Sequence, residues 1–199
     1  MRRFPKLEQE IGGWPYRALA LNPDGVVLEV GDALARYWFD NVVCSDRIDA
    51  RDAAGPDGRF DLVLLHYALG GHGTLAGAAR AAHSVLRAGG RFMVAGENLL
   101  RHSRRREPSI APAPRATGWG YRRALSNAGF SQIALFAMHP EGNAPVYLVD
   151  ARRHSTLNFY GAAQSRGRWS PTRALLSMLT RANLTPHLQP GFLVVGTKC

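Results

Sequence analysis

The apolar positions of the first hundred residues form short continuous runs, separated by segments with helical spacing. Four runs have the length of a strand: Val26–Val30, Asn41–Asp46, Phe60–Tyr67 and Arg91–Ala95. Continuous runs of this kind are typical of strands covered on both faces, as in parallel sheets. The alternation therefore predicts an α/β sheet with right-handed crossovers.

Helices are predicted between and after these runs. Ala33–Phe39 follows the first run, and Thr74–Leu86 carries apolar residues at helical spacing before the stop sequence Ala88–Gly90. Gly118–Phe130 closes on Ala-Gly-Phe. Three further strands are predicted, and their ranges are Ser131–Phe136, Ala144–Val149 and Phe192–Thr197.

The strands and helices indicate one main domain. Residues 1–25 form an N-terminal arm, which could cover a ligand pocket or the sheet edge, and residues 26–199 form the domain. Residues 151–189 are expected to be a basic, partly helical insertion, with a helix over Pro171–Asn183 after the cap-like Ser170.

Three polar or small residues lie at the ends of three of the predicted strands. Gly31, Asp46 and His66 each stand at a carboxyl end. Ligands of parallel α/β sheets bind outside these ends. The three residues are therefore expected to line one crevice.

The stretch Val26–Ala35 has the sequence VVLEVGDALA, in which Glu29 is followed by Gly31, Ala33 and Ala35. The pattern resembles the first motif of the class I S-adenosylmethionine (SAM)-dependent methyltransferases, usually acid-x-Gly-x-Gly-x-Gly. Residues 58–71, 81–98 and 120–136 resemble later strand and helix steps of that family, in order. The resemblance covers about residues 26–149. It implies a Rossmann-like, mostly parallel sheet with an antiparallel closing strand, which Phe192–Thr197 fits.

The resemblance also implies which residues hold SAM. The turn Glu29, Gly31, Asp32 and Ala33 would face its methionine part, where a glycine lets the backbone approach closely. Asp46 matches the acid that accepts hydrogen bonds from the ribose hydroxyls, although an exposed strand-end acid is an equally good interpretation. Asp49 (or Asp52, the alignment being loose) stands where the family's adenine-contacting acid lies.

Two features depart from the family pattern. Ala33 and Ala35 replace two of the glycines, and only 15 positions separate Asp46 from Asp61. The family normally fits a helix and a third strand there. The sheet is therefore expected to be shortened around its second and third strands, either by a deletion or through an extended link with a vestigial strand.

The candidate catalytic residues are His66 and Tyr67, at the end of the Phe60–Tyr67 run. A histidine near the transferring methyl group could act as a general base towards a hydroxyl acceptor. A structural histidine at a strand end is the more common case. No metal site is predicted, because the histidines have no carboxylate or cysteine at ligand spacing.

Positive charge is concentrated in the second half of the chain. Residues 101–199 hold 14 basic and 3 acidic residues, whereas residues 1–100 hold 11 and 12. Such a half is typical of proteins with an anionic partner, such as a small molecule, a lipid headgroup or RNA, but also of a merely solvated basic surface. The arginines expected to contact it are Arg101, Arg104, Arg105, Arg106, Arg122 and Arg123, with Arg115 nearby.

The remaining composition predicts a cytoplasmic protein. No run of about 18 apolar residues is present, the N-terminal arm lacks an apolar signal segment, and only Cys44 and Cys199 are available for bridging. The predicted function is a SAM-dependent methyltransferase with an anionic acceptor. The alternative is a non-catalytic subunit of the same fold that docks on RNA or an acidic protein. A dinucleotide-dependent oxidoreductase is disfavoured, because no GxGxxG turn follows the first strand.

Overall fold

The computed structural model describes most of the sheet and its two covering helices. The ranges described are 24–31, 35–49, 58–100, 114–139, 147–153, 155–157 and 191–199, with the single positions 17, 19, 20, 22, 178, 182, 184 and 189.

Within these ranges the chain forms eight strands, one short 3₁₀ helix and two α-helices whose full bounds are described, and residues 155–157 are also helical. The strands are β1 Val27–Gly31, β2 Val42–Ser45, β3 Phe60–His66, β4 Leu86–Asn98, β5 Arg115–Ala116, β6 Phe130–His139, β7 Tyr147–Asp150 and β8 Gly191–Lys198. The helices are α1 Leu75–Val85 and α2 Gly118–Asn127, and the 3₁₀ helix is Ala35–Tyr37.

The strands form one mixed sheet in the order β2-β1-β3-β4-β8-β6-β7, with β5 paired to β4. Strands β1 to β4 are mutually parallel. Strand β8 lies antiparallel between β4 and β6. The prediction of a mostly parallel Rossmann-like sheet with an antiparallel closing strand is therefore confirmed.

Side chains of successive strand residues alternate between two covered faces. Helices α1 and α2 cover one, which we call the helix face, through Ala78, Ala82 and Tyr121. The other is covered near β1 and β3 by Trp38 and Phe39, and we call it the Trp38 face. Burial of β1, β3 and β4 on both faces explains their continuous apolar sequences.

Both α-helices begin at threonine caps. The Thr74 hydroxyl accepts a hydrogen bond from the Gly77 amide at 3.1 Å, and the Thr117 hydroxyl accepts one from the Gly120 amide at 3.0 Å. Such caps satisfy backbone donors of the first turn that have no partner within the helix. The two predicted helices are therefore confirmed, with bounds close to those expected.

The helix predicted over Ala33–Phe39 is wrong in its described part. Residues 35–37 form a single 3₁₀ turn, and the amides of Trp38 and Phe39 both donate to the Ala35 carbonyl at 2.8 Å. Residues 32–34 lie outside the described ranges. Only Asp40 and Asn41 then remain before β2, and the Asn41 carbonyl already accepts from the Val27 amide at 2.9 Å. The chain must return to the sheet at once, so a longer helix has no room.

Strand β2 is the outermost strand of the described sheet on that side. Its Val43 and Cys44 side chains are exposed, as expected at an edge. The segment that follows runs as coil through Asp49, and the imidazole Nε2 of His72 lies 3.1 Å from the Ile48 carbonyl. The loop after β3 thus packs against the loop after β2, and the predicted shortening is confirmed. The form of the link over residues 50–57 lies outside the described residues.

Parts of the arm and the insertion are also described. Leu19 and Ala20 pack against the Trp38 face, and the Arg91 guanidinium donates to the Leu19 carbonyl. Most of the insertion predicted at 151–189 lies outside the described residues; within its predicted helix, Met178 is helical and its carbonyl accepts from the Ala182 amide at 2.9 Å. No helix among the described residues has the length and apolar character that a membrane span requires.

We expect His83 to make the folded state less stable at mildly acidic pH. Burial, and then the charge of Lys198, lower the pKa of this imidazole below its usual 6.5. It lies edge-on to Phe130 at 5.1 Å between ring centroids. The unfolded chain therefore binds a proton at His83 more readily than the folded protein does. The stability that depends on neutral His83 is fully present above about pH 6.5, and it is lost as the pH falls towards the lowered pKa.

The measurement is the free energy of unfolding in urea, followed from about pH 7.5 to about pH 5. His83→Asn should flatten this pH dependence, whereas Arg80→Gln, an exposed control on the same helix, should keep it. An unchanged slope in His83→Asn would show that His83 does not cause it.

Candidate functional site

The carboxyl ends of β1, β2 and β3 lie side by side. Gly31 is the register partner of His66, and Val30 is the partner of Ser45, so Asp46 lies one residue beyond the last β1–β2 pair. The structure therefore brings together the three strand ends that the sequence singled out.

Gly31 has a backbone conformation that favours glycine. Its φ is +125°, and a Cβ placed there would lie 3.1 Å from the Ala68 Cβ and 3.3 Å from the His66 carbonyl oxygen. Glycine therefore suits this position, because a side chain would be strained there and would crowd the loop after β3; Gly31 itself is half-buried.

Glu29 lies just below this point and is fully buried. Its Oε2 accepts a hydrogen bond from the Ala35 amide at 2.8 Å, and the Cys44 thiol donates to the same oxygen at 3.8 Å. Desolvation, and then the Glu29 charge, raise the pKa of the Cys44 thiol. The buried carboxylate thus stabilises the turn after β1 by accepting hydrogen bonds.

Ala35 is fully buried and belongs to the apolar cluster of the Trp38 face, with Trp38 and Phe39. Its methyl group packs into the protein. This departure from the glycine motif is therefore accommodated by the core. Asp32 and Ala33, the other turn residues of the predicted site, lie outside the described residues.

The two acids after β2 differ in exposure. Asp46 is exposed and Asp49 is half-buried. On either side of Asp46, the Ser45 hydroxyl donates to the Arg47 carbonyl at 2.7 Å, and the Arg47 amide donates to the same hydroxyl at 3.2 Å. This small turn holds the Asp46 backbone directly at the strand end.

The two candidate catalytic residues have different surroundings. The His66 imidazole is 1% exposed and lies edge-on to the Trp38 and Tyr67 rings, at centroid distances of 6.0 and 5.1 Å. Tyr67 is half-buried and has a φ of +53°, uncommon for a residue with a side chain. Its amide donates to the Ala95 carbonyl of β4 at 3.0 Å.

The phenol of Tyr67 extends across β4 towards β8. A Cβ placed on Gly191 would lie 3.4 Å from the Tyr67 hydroxyl and 3.1 Å from the Met138 Cε. Because Met138 belongs to the Trp38 face, the Tyr67 hydroxyl lies on that face too, above the carboxyl end of β4.

A further polar cluster lies at the end of β4 and was not predicted as a site. Glu97 is the register partner of Arg115, and Arg115 Nε lies 3.2 Å from Glu97 Oε2. Tyr121 lies beneath them, and burial, with Tyr67 and Glu97 nearby, raises the pKa of its hydroxyl above the usual value. Glu97 follows an apolar run as Asp46 and His66 do, which is the signal that could have revealed it.

The predicted arginine surface is only partly described. Arg122 is half-buried, and the exposed Arg123 guanidinium lies 5.2 Å from the centroid of the Trp119 ring. Arg101, Arg104, Arg105 and Arg106 lie outside the described residues. Among the residues that are described, no group of three histidines, cysteines or acids is close enough to hold a metal ion.

One cavity of about 350 Å³ lies at the opposite, amino end of the sheet. It is bordered by Asn22, Asp61 and Arg87, and Arg87 pairs with Asp61. The Asp61 carboxylate also accepts from the Val26 amide at 2.8 Å, which fixes the start of β1. The polar groups here are explained by that structural role.

Comparison with known proteins supports the fold. No protein-family model and no curated protein matches the chain. A SAM-dependent methyltransferase of known structure from Thermotoga maritima, described as a possible histamine N-methyltransferase, is 12% identical, with 99% of this chain and 90% of that chain covered and a TM-score of 0.52. A SAM-dependent methyltransferase from Archaeoglobus fulgidus is 11% identical, covering 96% of this chain and 94% of its own, with a TM-score of 0.51. The chain therefore has the class I SAM-dependent methyltransferase fold.

We expect Glu29→Ala to destabilise the protein by about 2–4 kcal/mol, because it leaves the buried Ala35 amide without its acceptor and opens a small cavity. Glu29→Gln should cost less, since its amide oxygen can still accept from Ala35. Urea unfolding measures both. Asp40→Ala, at an exposed site, is the control and should change stability by less than about 0.5 kcal/mol. Equal losses in Glu29→Gln and Glu29→Ala would contradict a specific role of this hydrogen bond.

Proposed function

We propose that the protein is a SAM-dependent methyltransferase that transfers a methyl group to an anionic acceptor. The observation that carries this proposal is the alignment of Gly31, Asp46 and His66 at neighbouring strand ends of this fold. Gly31 allows the sharp turn after β1, Asp46 offers an exposed carboxylate, and the buried His66 ring supports the half-buried Tyr67 ring.

The residues after β1 and β2 fit the cofactor. Gly31, whose φ of +125° favours glycine, lets the chain turn directly at the end of β1. The exposed Asp46 carboxylate can accept hydrogen bonds from two ribose hydroxyls. Asp32 and Ala33 complete the turn on the family resemblance, and Asp49 is the candidate for the adenine side. When bound, SAM supplies a methyl group on a positively charged sulfur.

The residues after β3 fit the acceptor side. Methyl transfer from a sulfonium mainly requires that the two reactants are aligned and that water is excluded. Tyr67 is the half-buried group that an acceptor can reach, and its hydroxyl can hold a proton or a hydrogen bond at the acceptor atom. His66 is buried against the Tyr67 ring, so it acts in this proposal chiefly by fixing that ring.

Charge supports an anionic acceptor. The excess of basic residues lies in the half of the chain that supplies β5 and α2, which flank the end of β4. Clustered positive charge raises the local concentration of anionic ligands.

A non-catalytic binding subunit is the second candidate. It is favoured by the stacked pair of Arg123 and Trp119, because an arginine over an exposed aromatic ring suits nucleic-acid bases as well as proteins. This candidate requires no cofactor, so SAM binding separates the two.

The proposal predicts micromolar binding of SAM and S-adenosylhomocysteine, measured by isothermal titration calorimetry. Asp46→Ala should weaken S-adenosylhomocysteine binding roughly tenfold to hundredfold, the usual value of hydrogen bonds to a charged group. Asp40→Ala is the matched control: it removes an exposed aspartate at the other end of β2 and should leave affinity unchanged.

Two results would contradict the proposal. Absence of binding at millimolar S-adenosylhomocysteine would favour the non-catalytic subunit. Equal weakening by Asp46→Ala and Asp40→Ala would show that general charge, and not the strand-end carboxylate, governs the affinity.

A further inference from the structure

An ion pair lies beside the proposed acceptor side, at the carboxyl end of β4. It joins Arg115 Nε to Glu97 Oε2 at 3.2 Å, and both side chains are partly open to solvent, at 42% and 30% exposure. Because two fifths of the Arg115 side chain is open to solvent, its guanidinium can be reached by a ligand while it is paired with Glu97.

The pair lies on the same face of the sheet as His66 and Tyr67. Strand β4 has β8 along one edge, where Glu97 pairs with Gly191. Along its other edge β3 ends opposite Ala95, and β5 continues the pairing from Glu97 onwards. Along this edge the Ala95 carbonyl accepts from the Tyr67 amide, and two residues later the Glu97 amide donates to the Pro114 carbonyl. Register partners point to the same face, so Arg115 and Glu97 lie on the face that holds the Tyr67 phenol, whose hydroxyl is close to Gly191, the β8 partner of Glu97.

Strand β5 is held in place from the other face. The Tyr121 hydroxyl donates to the Pro114 carbonyl at 2.7 Å and lies 3.1 Å from the Glu97 carbonyl. Gly96 leaves space for the Tyr121 hydroxyl. A Cβ there would collide with this hydroxyl and would lie 2.6 Å from the Pro114 carbonyl oxygen. The Leu99 amide adds a bond to the Ala116 carbonyl at 3.1 Å. The backbone that carries Arg115 is therefore fixed at both of its ends.

The chemistry of the pair selects a class of ligand. A guanidinium held by one nitrogen still presents two donors in a plane, which match the two oxygens of a carboxylate or phosphate. Because Glu97 offsets part of the Arg115 charge, the site favours a ligand recognised by paired hydrogen bonds over a long polyanion such as RNA, which binds mainly by charge. A small acceptor with one oxyanion group fits better, because Glu97 then serves to orient the fork.

We propose that Arg115, oriented by Glu97, binds the carboxylate or phosphate group of a small methyl acceptor and so determines its specificity. The identity of the ligand as a methyl acceptor rests on the proposed function, but anion binding at Arg115 does not require SAM. With the oxyanion held at Arg115, the remainder of the ligand extends past Tyr67 towards the end of β1.

The test uses 4-fluorobenzoate as a carboxylate probe on the 199-residue chain, with binding followed by fluorine NMR line broadening. Inorganic phosphate should compete with the probe. Arg115→Gln should weaken probe binding roughly tenfold or more, and Arg115→Lys should weaken it less, because the charge remains while the planar fork is lost.

Arg87→Gln is the matched control. Arg87 is also ion-paired and is 51% exposed, but it lies at the amino end of the sheet. The net charge changes equally in both variants, so a general charge effect would weaken the binding of 4-fluorobenzoate equally in both. That result, or unchanged binding to Arg115→Gln, would overturn the proposal. Thermal unfolding of each variant shows that it is folded, and Arg115→Lys, which keeps the ion pair, provides the comparison if Arg115→Gln is unstable.

Two parallel titrations separate this inference from the proposed function. S-adenosylhomocysteine should bind Arg115→Gln as it binds the unchanged protein. If the unchanged protein binds the probe through Arg115 but binds no S-adenosylhomocysteine, the proposed function fails while the anion site stands. A single-stranded RNA that binds tightly through Arg115 and displaces the probe would instead overturn the choice of a small acceptor.

Discussion

The buried hydrogen bond from the Ala35 amide to the Glu29 carboxylate is the contact on which the candidate site depends. It joins the middle of β1 to the turn that follows, at 2.8 Å and out of contact with water. Hydrogen bonds to a buried charge are among the stronger ones, at about 1.5–3 kcal/mol. The bond fixes where the chain turns back, and so it places Trp38 and Phe39 over the sheet and returns the chain to β2.

That same bond explains how the site tolerates an alanine where the family has a glycine. In Glu-x-Gly-x-Ala-x-Ala the first small residue, Gly31, faces the strand end with a positive φ, and its place allows no Cβ without crowding. The last, Ala35, is drawn into the core by Glu29, where its methyl group packs with Trp38. The two positions therefore differ physically, although the motif writes them alike.

The end of β4 is organised by contacts from both faces of the sheet. Tyr121, on the helix face, fastens β5 through the Pro114 carbonyl. Arg115 and Glu97 meet on the Trp38 face, beside the phenol of Tyr67. Hydrogen bonds on the helix face thus hold Arg115 and Glu97 in position on the Trp38 face. The residues proposed to bind the acceptor therefore border those proposed to bind the cofactor within the same domain.

The sequence by itself determined the parallel strands, the closing strand and the meeting of Gly31, Asp46 and His66. Continuous apolar runs and the rules of parallel crossovers suffice for that, since all carboxyl ends reach one edge. Only the tertiary structure decided that Ala35–Tyr37 forms a single 3₁₀ turn, because Glu29 and the short return to β2 override local helix propensity. It also decided that His66 is buried while Tyr67 reaches across β4, and that Arg115 meets Glu97. These outcomes depend on strand register and side-chain direction, which residues distant in sequence fix jointly.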